Sequence, residues 1–183
     1  MINSPAVAVP ALSRATAVRV VCAGRATVRG MEHTDIRPLT VAEFEQQPNL
    51  GELFAQYAEE SAIPELGEHI VQFDTYRAME AAGALIVRGA FRGGEMVGFI
   101  VLIVSVLPHF GVRTATTESF FVVPAERRGA LGARLLYAAE AAAREASAVG
   151  LFVCAPAGGR LERVMAARSD YRQTNAVFFR GLE

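Results

Sequence analysis

The chain has 183 residues, of which 52% are apolar and 20% charged, the length of one compact domain that can bury roughly 70% of its unfolded surface. All 18 basic residues are Arg, against 19 acids, and Lys and Trp are absent. A Schiff-base lysine and a Gly-Lys-Ser/Thr phosphate loop are therefore excluded, and a net charge of -1 supplies no field for nucleic acid or an anionic membrane.

The charge is unevenly spread. Arg14, Arg19, Arg25 and Arg29 precede the first acid, Glu32, leaving 14 Arg against 19 acids in the rest. Residues 1–30 read as a disordered or dispensable extension, or as a stretch upstream of a start at Met31, with Val18–Ala23 as a stray strand; residues 31–183 read as a single domain. Two cysteines (Cys22, Cys154) and three scattered histidines (His33, His69, His109) give neither a disulfide framework nor zinc spacing. The expectation is a reducing, cytoplasmic setting without a metal. No apolar run reaches the length that spans a membrane.

Element patterning begins at Asp35-Ile-Arg-Pro-Leu39. Thr40 and Glu43 have capping-box spacing, and Phe44, Leu50, Leu53, Phe54 and Tyr57 recur at helical intervals, which predicts one or two helices over 41–60. Another helix is expected over 67–81. Ala84–Phe91 and Met96–Val106 read as a hairpin turned by Arg92-Gly-Gly-Glu95, the second strand apolar enough to be central. Thr114–Val123 is a third strand of this run, stopped by Pro124.

From Glu126 to about Ala146 the sequence predicts a helix with Leu131, Leu135, Ala138, Ala142 and Ala146 inward. Val149–Ala155, Gly158–Arg168 and Asn175–Arg180 read as strand, helix and last strand. The hairpin with a later crossover makes the fold class α/β, an α+β mixed sheet covered by helices.

The chemistry-bearing stretch is Glu118-Ser-Phe-Phe-Val-Val-Pro-Ala-Glu-Arg-Arg-Gly-Ala-Leu-Gly-Ala133: a strand, a Pro, then an Arg/Gly/Ala turn opening a helix. Such a turn gathers free N–H groups and the positive helix end at one point, beside Arg127 and Arg128, as an anion needs.

Here the sequence resembles the GCN5-related N-acetyltransferase (GNAT) family, whose coenzyme loop reads Gln/Arg-x-x-Gly-x-Gly/Ala after a strand. Arg127-Arg128-Gly129-Ala130-Leu131-Gly132, followed by Ala133, carries the match, with Ala130 where a Gly is usual. That methyl is harmless only at negative φ.

The resemblance covers about 35–183 and implies a GNAT-like acyl-CoA N-acyltransferase fold: a mostly antiparallel sheet with a splayed strand pair and helices on both faces. It implies acetyl-CoA as cosubstrate. Arg127, Arg128, Gly129, Ala130, Leu131, Gly132 and Ala133 would hold pyrophosphate, and the backbone of Phe121, Val122 and Val123 would hold pantetheine. Glu118 stands where several members carry a catalytic Glu, and strand alternation puts it on the face of Phe120 and Val122. Its structural alternative is pairing with Arg113.

The Asn and Tyr that many members carry after the next strand are missing from Pro156–Arg168, and Tyr171 reads as a packing residue. The implied reaction is direct acetyl transfer to a primary amine, on a small molecule or a peptide, with homodimerisation as a family tendency. The alternative is a module that binds acyl-CoA without catalysis. The resemblance also implies that the segment after the first strand walls the acceptor site; its nine acids over 41–80 against Arg77 alone favour a cationic acceptor or a solvated face, and His109 and Phe110 offer a second wall.

Overall fold

The computed structural model describes residues 34–182. The extension, the stray strand, the start at Met31, Cys22 and His33 lie outside the described residues. Among the described residues five strands form one sheet in the order β1-β2-β3-β4-β5: β1 (Asp35–Leu39), β2 (Leu85–Arg92), β3 (Glu95–Leu107), β4 (Val112–Val122) and β5 (Leu151–Phe152). Neighbours from β1 to β4 are antiparallel and β4–β5 is parallel, so the sheet is mixed.

Helices α1 (Val41–Glu45), α2 (Leu50–Ser61) and α3 (Phe73–Ala81) follow β1. Thr40 Oγ1 accepts from the Glu43 N–H at 3.1 Å and the Glu43 carboxylate accepts from the Thr40 N–H at 2.8 Å, which completes the capping box. The helix is interrupted between α1 and α2 around Pro48, which separates the predicted helical stretch into two. Gly93 and Gly94, both at positive φ, make the two-residue turn of the β2–β3 hairpin.

The long β3 is buried on both faces. Phe99 and Val101 pack toward α1–α3 with Phe44, Leu53 and Phe121. Ile100, Leu102 and Val104 pack the other way, against α4 (Leu131–Glu145) and its inward Leu135, Ala139, Ala142 and Ala143. This helix starts at Leu131 rather than Glu126, because Pro124–Glu126 is a separate 3₁₀ turn and 127–130 form the loop; Ala139, not Ala138, lies on its buried stripe.

Two further expectations are corrected. The strand predicted over Val149–Ala155 shrinks to Leu151–Phe152, because β5 leaves β4 after the pair Thr116↔Phe152. Asn175–Arg180 forms no strand: α5 (Arg160–Ala166) is the last regular element, and Val177 and Phe178 are 92% and 90% exposed. Their β propensity finds no partner strand, and propensity without a ladder does not make a strand.

Among the described residues no helix is long and apolar enough to cross a membrane, and no group of three or more His, Cys, Asp or Glu is placed to hold a metal ion.

Candidate active site

Strand β4 carries the site along an edge that opens. Ala115 and Thr116 pair with β5, and Thr117 Oγ1 accepts from the Cys154 N–H at 2.8 Å; beyond that β4 keeps only its β3 neighbour. The Val123 N–H donates to Val97 at 3.0 Å, so Phe121 and Val123 turn toward β3 and the intervening Val122 presents its N–H and carbonyl to the gap. Of the three residues assigned to pantetheine, Val122 alone therefore offers backbone groups on the open side. Gly98 is required opposite, since a Cβ there would meet the Phe121 carbonyl oxygen at 2.8 Å.

Glu118 sits on a β-bulge. Val101 pairs with Ser119 and Leu102 with Thr117, which leaves Glu118 as the extra residue. A bulge breaks the two-residue alternation and re-aims the side chain. Glu118 consequently faces Tyr57 and Tyr76 from α2 and α3 on the side of Phe121, not the face of Phe120 and Val122, which corrects the sequence expectation. Its carboxylate is exposed. Arg113, its proposed structural partner, donates instead to the Ala146 carbonyl at 3.3 Å.

The two phenols are the residues that sequence reasoning missed. Burial pushes Tyr76 well above the ordinary phenol range, and the nearby Glu118 charge adds to the rise. Burial also raises Tyr57, Ser61 pulls the other way, and Glu118 and Cys154 add to the rise. Tyr57 is braced edge-on by Phe99, Phe121 and His69 at ring separations of 6.0 to 6.1 Å. Two tyrosines within predicted helices beside an apolar stripe were the available signal. Tyr171 is elsewhere: its hydroxyl donates to Glu140 on α4 at 2.9 Å, in keeping with packing.

At the end of β4 the loop turns into α4. Ala130 occupies the N-cap at φ -86° and ψ 6°, so its methyl costs no strain, and it has no side chain that caps the helix. The first-turn N–H groups of Leu131, Gly132 and Ala133 thus keep no intrahelical partner. A Cβ on Gly129 would meet nothing within 4 Å, and one on Gly132 only the Phe120 ring at 4.0 Å. The protein's own packing does not require these glycines, and their smallness leaves the loop backbone approachable.

Beside the loop lies a cavity of about 300 Å³ lined in part by Thr34, Arg92, Glu126, Gly129, Ala130 and Arg134. Arg92 pairs with Glu126 at 2.7 Å, its Nε is buried without a partner, and Arg134 donates to the Thr34 carbonyl at 2.8 Å. Arg128 is exposed, and Arg160 of α5 donates to the Arg127 carbonyl at 3.1 Å. The Arg127 side chain is engaged: Nε donates to the Val122 carbonyl at 2.6 Å, a terminal nitrogen pairs with Glu60 at 2.7 Å, and the guanidinium lies 5.2 Å from the Phe121 ring centre.

His109 and Phe110 stack edge-on at 5.2 Å at the exposed β3–β4 turn. Of the nine acids over 41–80, Glu45 and Asp74 hold Arg77, Glu43 caps α1, Glu80 accepts from the Val41 N–H and Glu60 holds Arg127. Glu52, Glu59, Glu65 and Glu68 are exposed.

The family model for the acetyltransferase (GNAT) family matches residues 48–158. The chain belongs to the GNAT acetyltransferase family. Its fold is similar to a ribosomal-protein-alanine N-acetyltransferase from Brucella melitensis biovar Abortus 2308, with a TM-score of 0.54 and 22% identity over 80% of this chain and 100% of that one. It is also similar to the aminoglycoside acetyltransferase meta-AAC0020 from an uncultured soil metagenomic sample, in complex with sisomicin (TM-score 0.64, 16% identity, 82% and 97% covered). A third is AAC(6')-Iy in complex with the bisubstrate analog CoA-S-monomethyl-acetylneamine (TM-score 0.62, 17% identity, 81% and 97% covered). Among curated protein sequences none matches at a significant level.

Proposed function

We propose that this GNAT protein transfers an acetyl group from acetyl-CoA directly to a primary amine, with Glu118 as the base. The observation that carries the reading is the bulge that turns Glu118 toward the two phenols on the same strand whose end opens into the uncapped loop. The loop N–H groups of Gly129 to Ala133, with Arg128 beside them, receive the pyrophosphate. The Val122 edge receives the pantetheine amides, and the thioester then lies near Glu118. Acetyl-CoA supplies an activated acyl group on a thiolate leaving group.

Glu118 takes a proton from the ammonium of the acceptor, directly or through water, so that the amine nitrogen bonds to the acyl carbon as the carbon–sulfur bond breaks. Tyr76 or Tyr57, the phenols near Glu118, would pass a proton to the leaving sulfur, since Pro156–Arg168 offers no Tyr for that role. Glu59, Glu65 and Glu68 on the acceptor side favour a cationic amine, and aminoglycosides, acted on by the soil metagenome enzyme, are one such class.

Calorimetric titration with acetyl-CoA is expected to show micromolar binding, and thiol release across a panel of amines is expected to find an acceptor. Glu118→Gln should lower kcat/KM by about 10² to 10⁴ while leaving the acetyl-CoA Kd within about twofold. Unchanged kcat/KM removes Glu118 from the mechanism; binding without turnover across the panel supports the non-catalytic module instead.

A further inference from the structure

A ligand with its phosphates on the loop at Gly129–Ala133 and its reacting end at Glu118 must run along the open edge of β4. The four steps along the strand from Glu118 to Val122 span about 13 Å of that edge, and Val122 stands nearest the loop. The Val122 carbonyl is already taken by Arg127 Nε at 2.6 Å. The same guanidinium is held by Glu60 at 2.7 Å and rests against the Phe121 ring, and the Arg127 carbonyl is fixed by Arg160. Its side chain is largely buried, with 20% of its surface exposed. Arg127 is therefore a strap from α2 to β4 rather than a free cation facing the loop.

We propose that Arg127 is a latch on the coenzyme path: its guanidinium holds the Val122 carbonyl, and acetyl-CoA displaces it as the pantetheine amide takes that carbonyl. The proposal rests on the coenzyme reading above. Glu60 loses its partner in the same step, so a carboxylate on the acceptor wall becomes free once the coenzyme is seated. An ammonium acceptor then meets a better-matched wall after coenzyme than before it, which orders the binding. A phosphate ligand would behave oppositely, since its removal weakens every phosphate-bearing ligand.

The test titrates acetyl-CoA, and separately ADP, which carries the pyrophosphate and no pantetheine, into the full-length protein, Arg127→Ala and Glu60→Gln. Thermal unfolding confirms that each variant is folded. Arg127→Ala is expected to bind acetyl-CoA about three- to tenfold more tightly, the scale of one ordinary hydrogen bond no longer competed for, with ADP affinity within about twofold of wild type. Glu60→Gln should move acetyl-CoA the same way by a smaller factor, and it carries the test if Arg127→Ala does not fold. Weaker binding of both ligands makes Arg127 a phosphate ligand and overturns the latch; weaker or unchanged acetyl-CoA binding with ADP unaffected overturns it as well. Wild type and variants that all fail to bind acetyl-CoA sink the coenzyme reading itself, and the latch with it.

Discussion

The sheet face under α1–α3 is packed by rings: Phe99 meets Phe44, Phe54, Tyr57 and Phe121 at separations of 5.3 to 6.0 Å. The face under α4 is packed by Ile100, Leu102 and Val104 against Leu135, Ala139, Ala142 and Ala143. Alanines let α4 lie close and seal its face. Rings interlocked edge-on or tilted leave phenol tips at the rim, and the bulge delivers Glu118 to that rim. One face is built to close and the other to keep polar groups at an opening, with β4 contributing to both.

The largest expected effect separates the two packings. Phe99→Ala should lower stability by about 3 to 5 kcal/mol and release the braced Tyr57, so that turnover falls with it. Leu135→Ala should cost about 2 to 5 kcal/mol with its cavity confined to the α4 side. Denaturant unfolding beside kcat/KM reads both; a Phe99→Ala protein with wild-type turnover would break the distinction, because the rings would then be scaffold alone.

Much of this frame was legible in the sequence. The Arg92–Glu95 turn, the central β3 and the Thr40/Glu43 box are local signals, and local chemistry decided each of them. The loop was legible as motif and context together. The bulge was not, because one extra residue in β4 is specified by pairing with β3, and nothing in Thr116-Thr-Glu-Ser-Phe120 marks it. Nor was the engagement of Arg127 by Glu60, 67 positions away in sequence but adjacent in the fold. The exposed Val177 and Phe178 show the reverse failure, a β-rich run that no strand edge receives.

A next effect appears at alkaline pH. Tyr57, Tyr76 and Tyr171 all have phenols raised by burial above the ordinary value of about 10 that they regain on unfolding. The protonated form is thus favoured in the fold. The stability that this contributes is complete below about pH 10 and declines as pH climbs from there toward the folded values, by at most about tenfold in the folding constant per pH unit and phenol. Phenolate absorbance during alkaline titration should lag in the folded protein and appear with unfolding. Glu118→Gln should let Tyr76 ionise earlier and leave Tyr171, which faces Glu140, where it was; a shift in both would mean that the two faces are not electrostatically separate.

The smallest effect contrasts two helix starts. Helix α1 is capped by Thr40 and Glu43, and α4 begins at Ala130 with no cap. Thr40→Ala should cost about 1 kcal/mol of stability and leave acetyl-CoA affinity unchanged, since the Glu43 N–H it frees belongs to α1 and not to the loop at Gly129–Ala133, and Glu80 still holds the Val41 N–H at 2.9 Å. Ala130→Ser should do the opposite: its hydroxyl would cap the first turn of α4, raise stability by up to about 1 kcal/mol, and weaken acetyl-CoA binding by engaging an N–H that the pyrophosphate needs. A stabilising Ala130→Ser with undiminished affinity would show that the pyrophosphate lies elsewhere, and the cavity beside Arg92 and Arg134 would then be the place to look.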